Sequence, residues 1–374
     1  VSGTRVRDVL LVGAGGMGRA WLDAVDRRAD LRIAAVVDVA DGAARTAVDE
    51  RSWDAPTFTS VDDALNAASA DMLLNVTIPE AHFAVSAAAV RAGVPVLSEK
   101  PITPTVSEAI RLAALSRAAG VLVATSQSRR HSRGIRAFRR ALADAGGAEQ
   151  LGTVFFQNPR FGGFRDRMPH PLLVDMAIHS FDQARFLLDR EPVSVYCEEF
   201  HPSWSWYDGG AAAEAVFQFE GGARFSYSGS WCADGLTTSW NGSWRGSAAH
   251  GSADWDGEAG VRTQDREGEP VALALDAGLE GLDAALDEFV VALEGGQRPS
   301  GEIDSNIRSL AMVEAAVASA ESGRRVLLDD VFAAALAAAL SAAEGDEERR
   351  TIADWTPTVN RTASDPRSLT EEQA

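Results

Sequence analysis

The chain is expected to be an α/β protein. An N-terminal doubly wound parallel sheet precedes a second α/β domain built on a large, mainly antiparallel sheet. Three observations predict this. Short apolar runs alternate with amphipathic segments over residues 1–128, a glycine cluster follows the first run at once, and after Arg136 the texture changes. Strand, helix, strand at this pace means parallel strands with helices on both faces.

The N-terminal runs are 9–12, 33–37, 72–76, 94–97 and 121–124. Between them lie 17–28, 41–51, 61–68, 80–92 and 105–119, each with apolar residues at three- and four-residue steps. A further helix is expected to run to Leu142, then a strand at 152–156 and a glycine-rich loop at Gly162-Gly163. A long apolar helix over 172–188 follows. Next come strand-like stretches at 193–200, 213–219, 223–231 and 237–244, rich in β-branched or aromatic residues and bounded by turn signals. Helices at 282–293 and 303–322 close the domain. Residues 345–374 are polar and proline-dotted and read as a mobile tail. The expected division is 1–128, 129–344 and 345–374, and a length of 374 residues suits two domains.

A net charge of −19 argues against nucleic acid, whose phosphates need a basic face to displace counterions. It equally disfavours an anionic membrane surface. The apolar run at Val9 passes straight into glycines, unlike a secretory leader, and the alanine-rich stretch 332–343 is too short to span a bilayer. Two cysteines make no disulfide framework. A cytoplasmic protein is expected.

Gly13-Ala14-Gly15-Gly16-Met17-Gly18 fits G-x-G-x-x-G between a strand and a helix. Gly13 allows the tight turn, Gly15 lets backbone approach a pyrophosphate, and Gly18 lets helix and strand pack closely. The second strand ends at Asp38, where a carboxylate accepts ribose hydroxyls and repels a 2′-phosphate. No arginine follows until Arg45. The expected cofactor is NAD rather than NADP.

Lys100 is the sole lysine, and it stands at the end of an apolar run in Glu99-Lys100-Pro101. Arginine cannot replace lysine where a compact point charge or a movable pKa is needed. A catalytic or cofactor-orienting role is expected, against the alternative of a surface lysine left by coding bias. In the apolar segment 172–188, Asp175, His179 and Asp182 fall at i, i+4 and i+7, on one helical face. A polar stripe on an otherwise apolar helix faces a pocket or a partner, and histidine beside carboxylate suits proton transfer. A metal site is disfavoured, since there is no His-Glu-x-x-His and no cysteine ligand set.

Together these features resemble the oxidoreductase family named after glucose–fructose oxidoreductase, inositol 2-dehydrogenase and MocA, over about residues 9–326. Further family-like motifs appear in order. Residues 75–82 contain Thr77, Pro79 and His82 in T-x-P-x-x-H spacing, and 320–326 look like the closing helix and turn. The resemblance implies a Rossmann domain and a second domain whose open sheet builds homodimers or homotetramers. It implies a cofactor lined by Gly13, Gly15, Gly16, Met17, Gly18, Asp38, Thr77, Pro79, His82, Glu99 and Lys100. It also implies hydride transfer between a secondary alcohol of a sugar, glycoside or cyclitol and the nicotinamide. His179 would take the hydroxyl proton, Asp175 would orient substrate and imidazole, and Lys100 would polarise the reacting oxygen. Arg130, Asn158 and Asp182 would join the substrate set. Residues 165–170 depart from the family's short glycine run and read as part of the substrate wall. Alternatives are a glycoside-cleaving enzyme that recycles its NAD and a non-catalytic sugar sensor. Six of nine tryptophans lie within 204–255. Most are expected to pack the sheet, with Trp204 and Trp206 as pocket candidates.

Overall fold

The structure is a computed structural model and describes residues 5–355. They form two compact units, one of residues 5–131, 279–310 and 332–355, the other of 132–278 and 311–331.

The chain opens with β1 (Arg7–Val12), α1 (Gly16–Asp26), β2 (Leu31–Val37), α2 (Ala43–Asp49), β3 (Thr57–Phe58), α3 (Val61–Ala67), β4 (Met72–Asn75), α4 (Pro79–Arg91), β5 (Val96–Ser98), α5 (Val106–Ala119) and β6 (Val123–Thr125). The six strands pair in parallel in the order β3-β2-β1-β4-β5-β6. The strand order reverses between β1 and β4, which opens a crevice at their carboxyl ends. Residues such as Val9, Leu11, Leu73 and Leu74 are wholly buried because parallel strands are covered on both faces. Helix starts are set locally. Ser60 accepts from the Asp63 N–H at 3.3 Å, and Thr105 accepts from the Glu108 N–H at 3.2 Å while its hydroxyl reaches the Glu108 carboxylate. Pro79 opens α4, where no amide donor is needed. The two-residue β3 is too short for periodicity to reveal.

The second unit runs through α6 (Arg133–Asp144), β7 (Ala148–Phe156), a π-helix (Pro171–Ala177), α7 (Ile178–Leu188), β8 (Pro192–Phe200), β9 (Ala212–Phe219), β10 (Arg224–Ser230), β11 (Ser243–Ala248), β12 (Gly251–Trp255), β13 (Val261–Asp265) and β14 (Val271–Ala272). These strands and the later β15 (Val326–Leu327) form one nine-stranded sheet, β14-β13-β12-β11-β7-β10-β9-β8-β15. It is mixed, since β7 and β10 run parallel and the other pairs are antiparallel. The strand expected over 237–244 begins only at Ser243, and β12 to β14 were not anticipated; Gly, Ser and Asp blur their alternation. Phe181 of α7 packs edge-on to Phe217 at 4.7 Å and to Tyr227 at 5.4 Å. Trp231, Trp244 and Trp255 are buried, half of the six tryptophans of 204–255, whereas Trp204 and Trp240 are exposed. On the other face Tyr196, Val216, Ser226, Gly152 and Arg245 lie in register across five strands, with Tyr196 and Val216 exposed.

The chain ends with α8 (Gly281–Leu293), α9 (Ile303–Ser322), α10 (Leu328–Ala342) and α11 (Asp346–Ala353). Here the structure departs from the expected division, because 279–310 and 332–355 return to the first unit. The reason is burial. Leu286, Phe289 and Val290 of α8 join the core around Trp21, Leu22 and Val25. Each such side chain stabilises by about 1.5–3 kcal/mol when fully buried. The rim pairs Arg27–Asp283 and Arg28–Asp287 add little. Part of the expected tail is instead helical. Helix α11 packs on α5 through Arg111 Nε and Glu348 at 2.8 Å, and buried Trp355 donates from Nε1 to Asp304 at 2.9 Å. Residues 356–374 of that expected tail lie outside the described residues. Among the described residues no helix is long and apolar enough to cross a membrane.

Candidate active site

The first group of site residues stands on the carboxyl edge of the parallel sheet. Gly13 has φ +104°, and a Cβ there would meet Val76 O at 2.4 Å. A Cβ on Gly18 would fall 1.9 Å from Gly13 O. Both positions therefore admit only glycine. Gly15 and Gly16 are different: nothing lies within 4 Å of a Cβ built on either, and both are exposed. Helix α1 starts at Gly16 with no side chain capping it, so its first N–H groups face open space. A cradle closed at Gly13 and Gly18 and open at Gly15 and Gly16 fits a dinucleotide pyrophosphate. Met17, half exposed, flanks it. Asp38 closes the loop from the β2 end: Oδ2 accepts from Ala14 N at 2.7 Å and Oδ1 from Ala40 N at 2.8 Å. A carboxylate has about four acceptor positions, so two remain for ribose hydroxyls.

Two strands along, backbone loops are locked by buried polar groups. Asn75, wholly buried at the end of β4, donates to His82 O at 3.0 Å and to Ser86 Oγ at 2.9 Å, while Thr77 Oγ1 donates to Asn75 Oδ1 at 2.7 Å. His82 is 1% exposed, with Nε2 3.0 Å from Thr77 O and Nδ1 against Pro101 O. Burial pushes its imidazole below the ordinary histidine range, against the pull of those carbonyls. His82 therefore bridges the loop after β4 and the loop after β5, its neutral ring donating to one of the two carbonyls. Glu99 is held similarly: Oε1 accepts from Trp21 Nε1 at 2.9 Å and Oε2 from Lys100 N at 3.2 Å. The clamp residues Asn75 and Trp21 escaped the sequence reading. Their only signal was an asparagine within an apolar strand and a tryptophan within a helix. Arg130, also of this unit, is buried and donates from Nη1 to Ser300 O at 3.0 Å.

The second group lies in the other unit. The single helix expected over 172–188 is two structures, the π-helix and α7. Asp175 belongs to the π-helix, whose i→i+5 bonding is wider than an α-turn. The α-helical stripe through Asp175, His179 and Asp182 therefore holds only from Ile178 onward. His179 is 9% exposed and Asp182 1%. Burial works against the Arg185 charge, but Glu191 and then Asp182 outweigh it and raise its pKa. Asp182 thus serves a buried charge cluster, with Arg185 and Glu191 2.8 Å apart. Asp175 is instead met by Arg165 Nε at 2.7 Å. Arg165 belongs to the segment 165–170 expected as part of the substrate wall, but its pairing with Asp175 was not foreseen. Asn158 donates to Asp234 Oδ1 at 3.0 Å. Trp206 lies under the Arg160 guanidinium at 3.8 Å, and Trp204, 64% exposed, donates to Cys232 O.

Comparison with known proteins follows this division. Residues 7–127 match the model of the "Oxidoreductase family, NAD-binding Rossmann fold" of the GFO/IDH/MocA group, and residues 150–249 match the GFO/IDH/MocA C-terminal domain. The chain is 27% identical over 363 residues to "Uncharacterized protein y4oX" of Sinorhizobium fredii (strain NBRC 101917 / NGR234), covering 86% of this chain and 96% of that protein. It is 29% identical over 189 residues to inositol 2-dehydrogenase of Corynebacterium glutamicum (strain R), covering 50% of this chain and only 55% of that enzyme. An oxidoreductase from Agrobacterium radiobacter, solved with NAD+, L-tartaric acid and magnesium, superposes with a TM-score of 0.79 at 17% identity, covering 87% of this chain and 99% of that one, a likeness of fold. With the nucleotide-binding model falling on the first unit and the C-terminal model on the second, the chain belongs to the Gfo/Idh/MocA family and is an NAD-binding oxidoreductase.

Proposed function

We propose that the chain is an NAD-dependent dehydrogenase acting on a secondary alcohol of a sugar, glycoside or cyclitol. One observation carries the reading. The glycine loop after β1 and the Glu99–Lys100 turn after β5 stand on the same carboxyl edge of one parallel sheet, with only β4 between them. A cofactor lying along that edge would have its pyrophosphate on Gly15 and Gly16, its ribose on Asp38, and the sole lysine near its far end. Bound NAD supplies the hydride acceptor. Lys100 hydrogen-bonds the reacting oxygen and favours its charge, His179 takes the hydroxyl proton at a ring nitrogen, and Asp175 orients the alcohol and the imidazole. His82 and Glu99 keep the Lys100 loop in place. The inositol dehydrogenase among the relatives supports a polyol as substrate.

The test is a screen of polyols, sugars and glycosides with NAD and NADP in parallel, read as absorbance of the reduced cofactor. At least one polyol or glycoside is expected to give NADH, with a higher kcat/KM for NAD than for NADP. Asp38→Ser combined with Val39→Arg is expected to relax that preference, since it removes the ribose acceptor and offers a cation to a 2′-phosphate. A wild-type preference for NADP would refute the assignment of Asp38.

We also propose that the chain assembles as a homodimer or homotetramer through the exposed face of the nine-stranded sheet. The row of Tyr196, Val216, Ser226, Gly152 and Arg245, with its exposed Tyr196 and Val216, offers an uncovered sheet face that suits a self-complementary contact. Light scattering at micromolar concentration is expected to give a multiple of 39.6 kDa, and a monomer mass would defeat this proposal. The free, buried Cys197 and Cys232 support a reducing, cytoplasmic setting.

A further inference from the structure

Between β7 and the π-helix, residues 157–170 form a connection fastened to the β8–β9 loop. Tyr207 donates to Pro159 O at 2.9 Å, Asp208 N donates to Asp166 O at 2.7 Å, and Gly209 lies so close to Pro169 that a Cβ would meet its carbonyl at 2.0 Å. The connection carries three arginines, Arg160, Arg165 and Arg167, against one acid, Asp166, in a protein of net charge −19. Arg165 is the most constrained. Its Nε is fixed on Asp175 at 2.7 Å, and its guanidinium stands 4.7 Å from the Phe164 ring and 5.4 Å from the Phe161 ring. Among the described residues its two Nη groups have no hydrogen-bond partner, and the side chain is 36% exposed. Phe161 and Phe164 are themselves exposed.

An arginine held through Nε presents its end-on pair of Nη donors in a fixed plane, the geometry that grips a carboxylate or phosphate with two parallel bonds. Neutral hydroxyls need no such fork. We infer that Arg165 is a specificity-determining residue and that the substrate is an anionic sugar or polyol, whose carboxylate or phosphate lies on the Arg165 Nη pair. The exposed rings beside it suit the apolar face of the same sugar. This inference rests on the dehydrogenase reading above and deepens it.

The experiment compares matched substrates on the full-length protein with NAD: glucose against glucuronate and glucose 6-phosphate, and galactose against galacturonate. The ratio of kcat/KM, anionic over neutral, is measured for wild type, Arg165→Gln and Arg165→Lys at low and high ionic strength. Wild type is expected to favour one anionic class by at least about 10-fold, as charge-assisted bonds do. The uronate and phosphate arms tell which class it is. Arg165→Gln is expected to lower the ratio by about 10- to 100-fold and Arg165→Lys by less, while added salt erodes the wild-type ratio. Wild type preferring neutral sugars overturns the inference without any variant. A ratio unchanged in Arg165→Gln, with kcat falling equally on both members, also overturns it and leaves Arg165 as no more than a partner for Asp175. NADH from neutral sugars alone would leave the dehydrogenase reading standing. No turnover with any sugar, polyol or glycoside would remove both.

Discussion

His179→Ala is expected to lower kcat by about 10²–10⁴-fold, the loss that follows removal of a general base, while NADH binding stays close to wild type. The expectation comes from its setting. His179 lies one residue into α7, nearly buried, four residues after an aspartate held by Arg165. A histidine that served packing alone would be replaceable by Ala at the cost of a small cavity, felt in stability rather than in turnover. Asp175→Asn is expected to be damaging too. It keeps the shape, removes the carboxylate proposed to orient the substrate and imidazole, and weakens the pair with Arg165. Steady-state kinetics on the best substrate, with NADH fluorescence titration alongside, separate the two effects. Near-normal kcat in His179→Ala would mean that the polar positions of this helix are structural, and the proposed proton transfer would be wrong.

Modification of Lys100 is expected to abolish turnover, and NAD with substrate is expected to protect it. Because it is the sole lysine, only Lys100 and the α-amine can react by reductive methylation. The α-amine, with an intrinsic pKa of about 8, can be labelled first. Intact-mass counting of adducts against residual activity then reads one site without mutagenesis. Lys100→Arg is also expected to be poorly active, since a planar guanidinium cannot place a compact charge at the same point. The loop that carries Lys100 is braced by the Glu99–Trp21 bond and by the His82 clamp, so the ammonium starts from a defined base. Full activity in protein labelled at Lys100 would show that this lysine is a relic of coding bias.

The parallel sheet and its glycine loop were legible in the sequence because their causes are local. Burial on both faces makes each strand a short apolar run, and Gly13 and Gly18 answer contacts made within one strand–turn–helix unit. That Asp38 and Lys100 follow strand ends could be read because each closes such a run. Tertiary structure decided what depends on distant partners. Helix α8 looks like part of the second domain along the chain, yet its apolar side belongs to the core around Trp21, some 260 residues away. The polar stretch after Gly345 reads as a tail until Ile352 and Trp355 find burial against the first unit. Periodicity could not distinguish a π-turn from an α-turn within one apolar segment; the structure puts Asp175 on the π-turn and His179 and Asp182 on α7. Packing then set Asp175 against Arg165 of the preceding loop and placed Asp182 near the buried Arg185–Glu191 pair. Spacing can set residues on a face, but only the folded neighbourhood decides which charge each one meets.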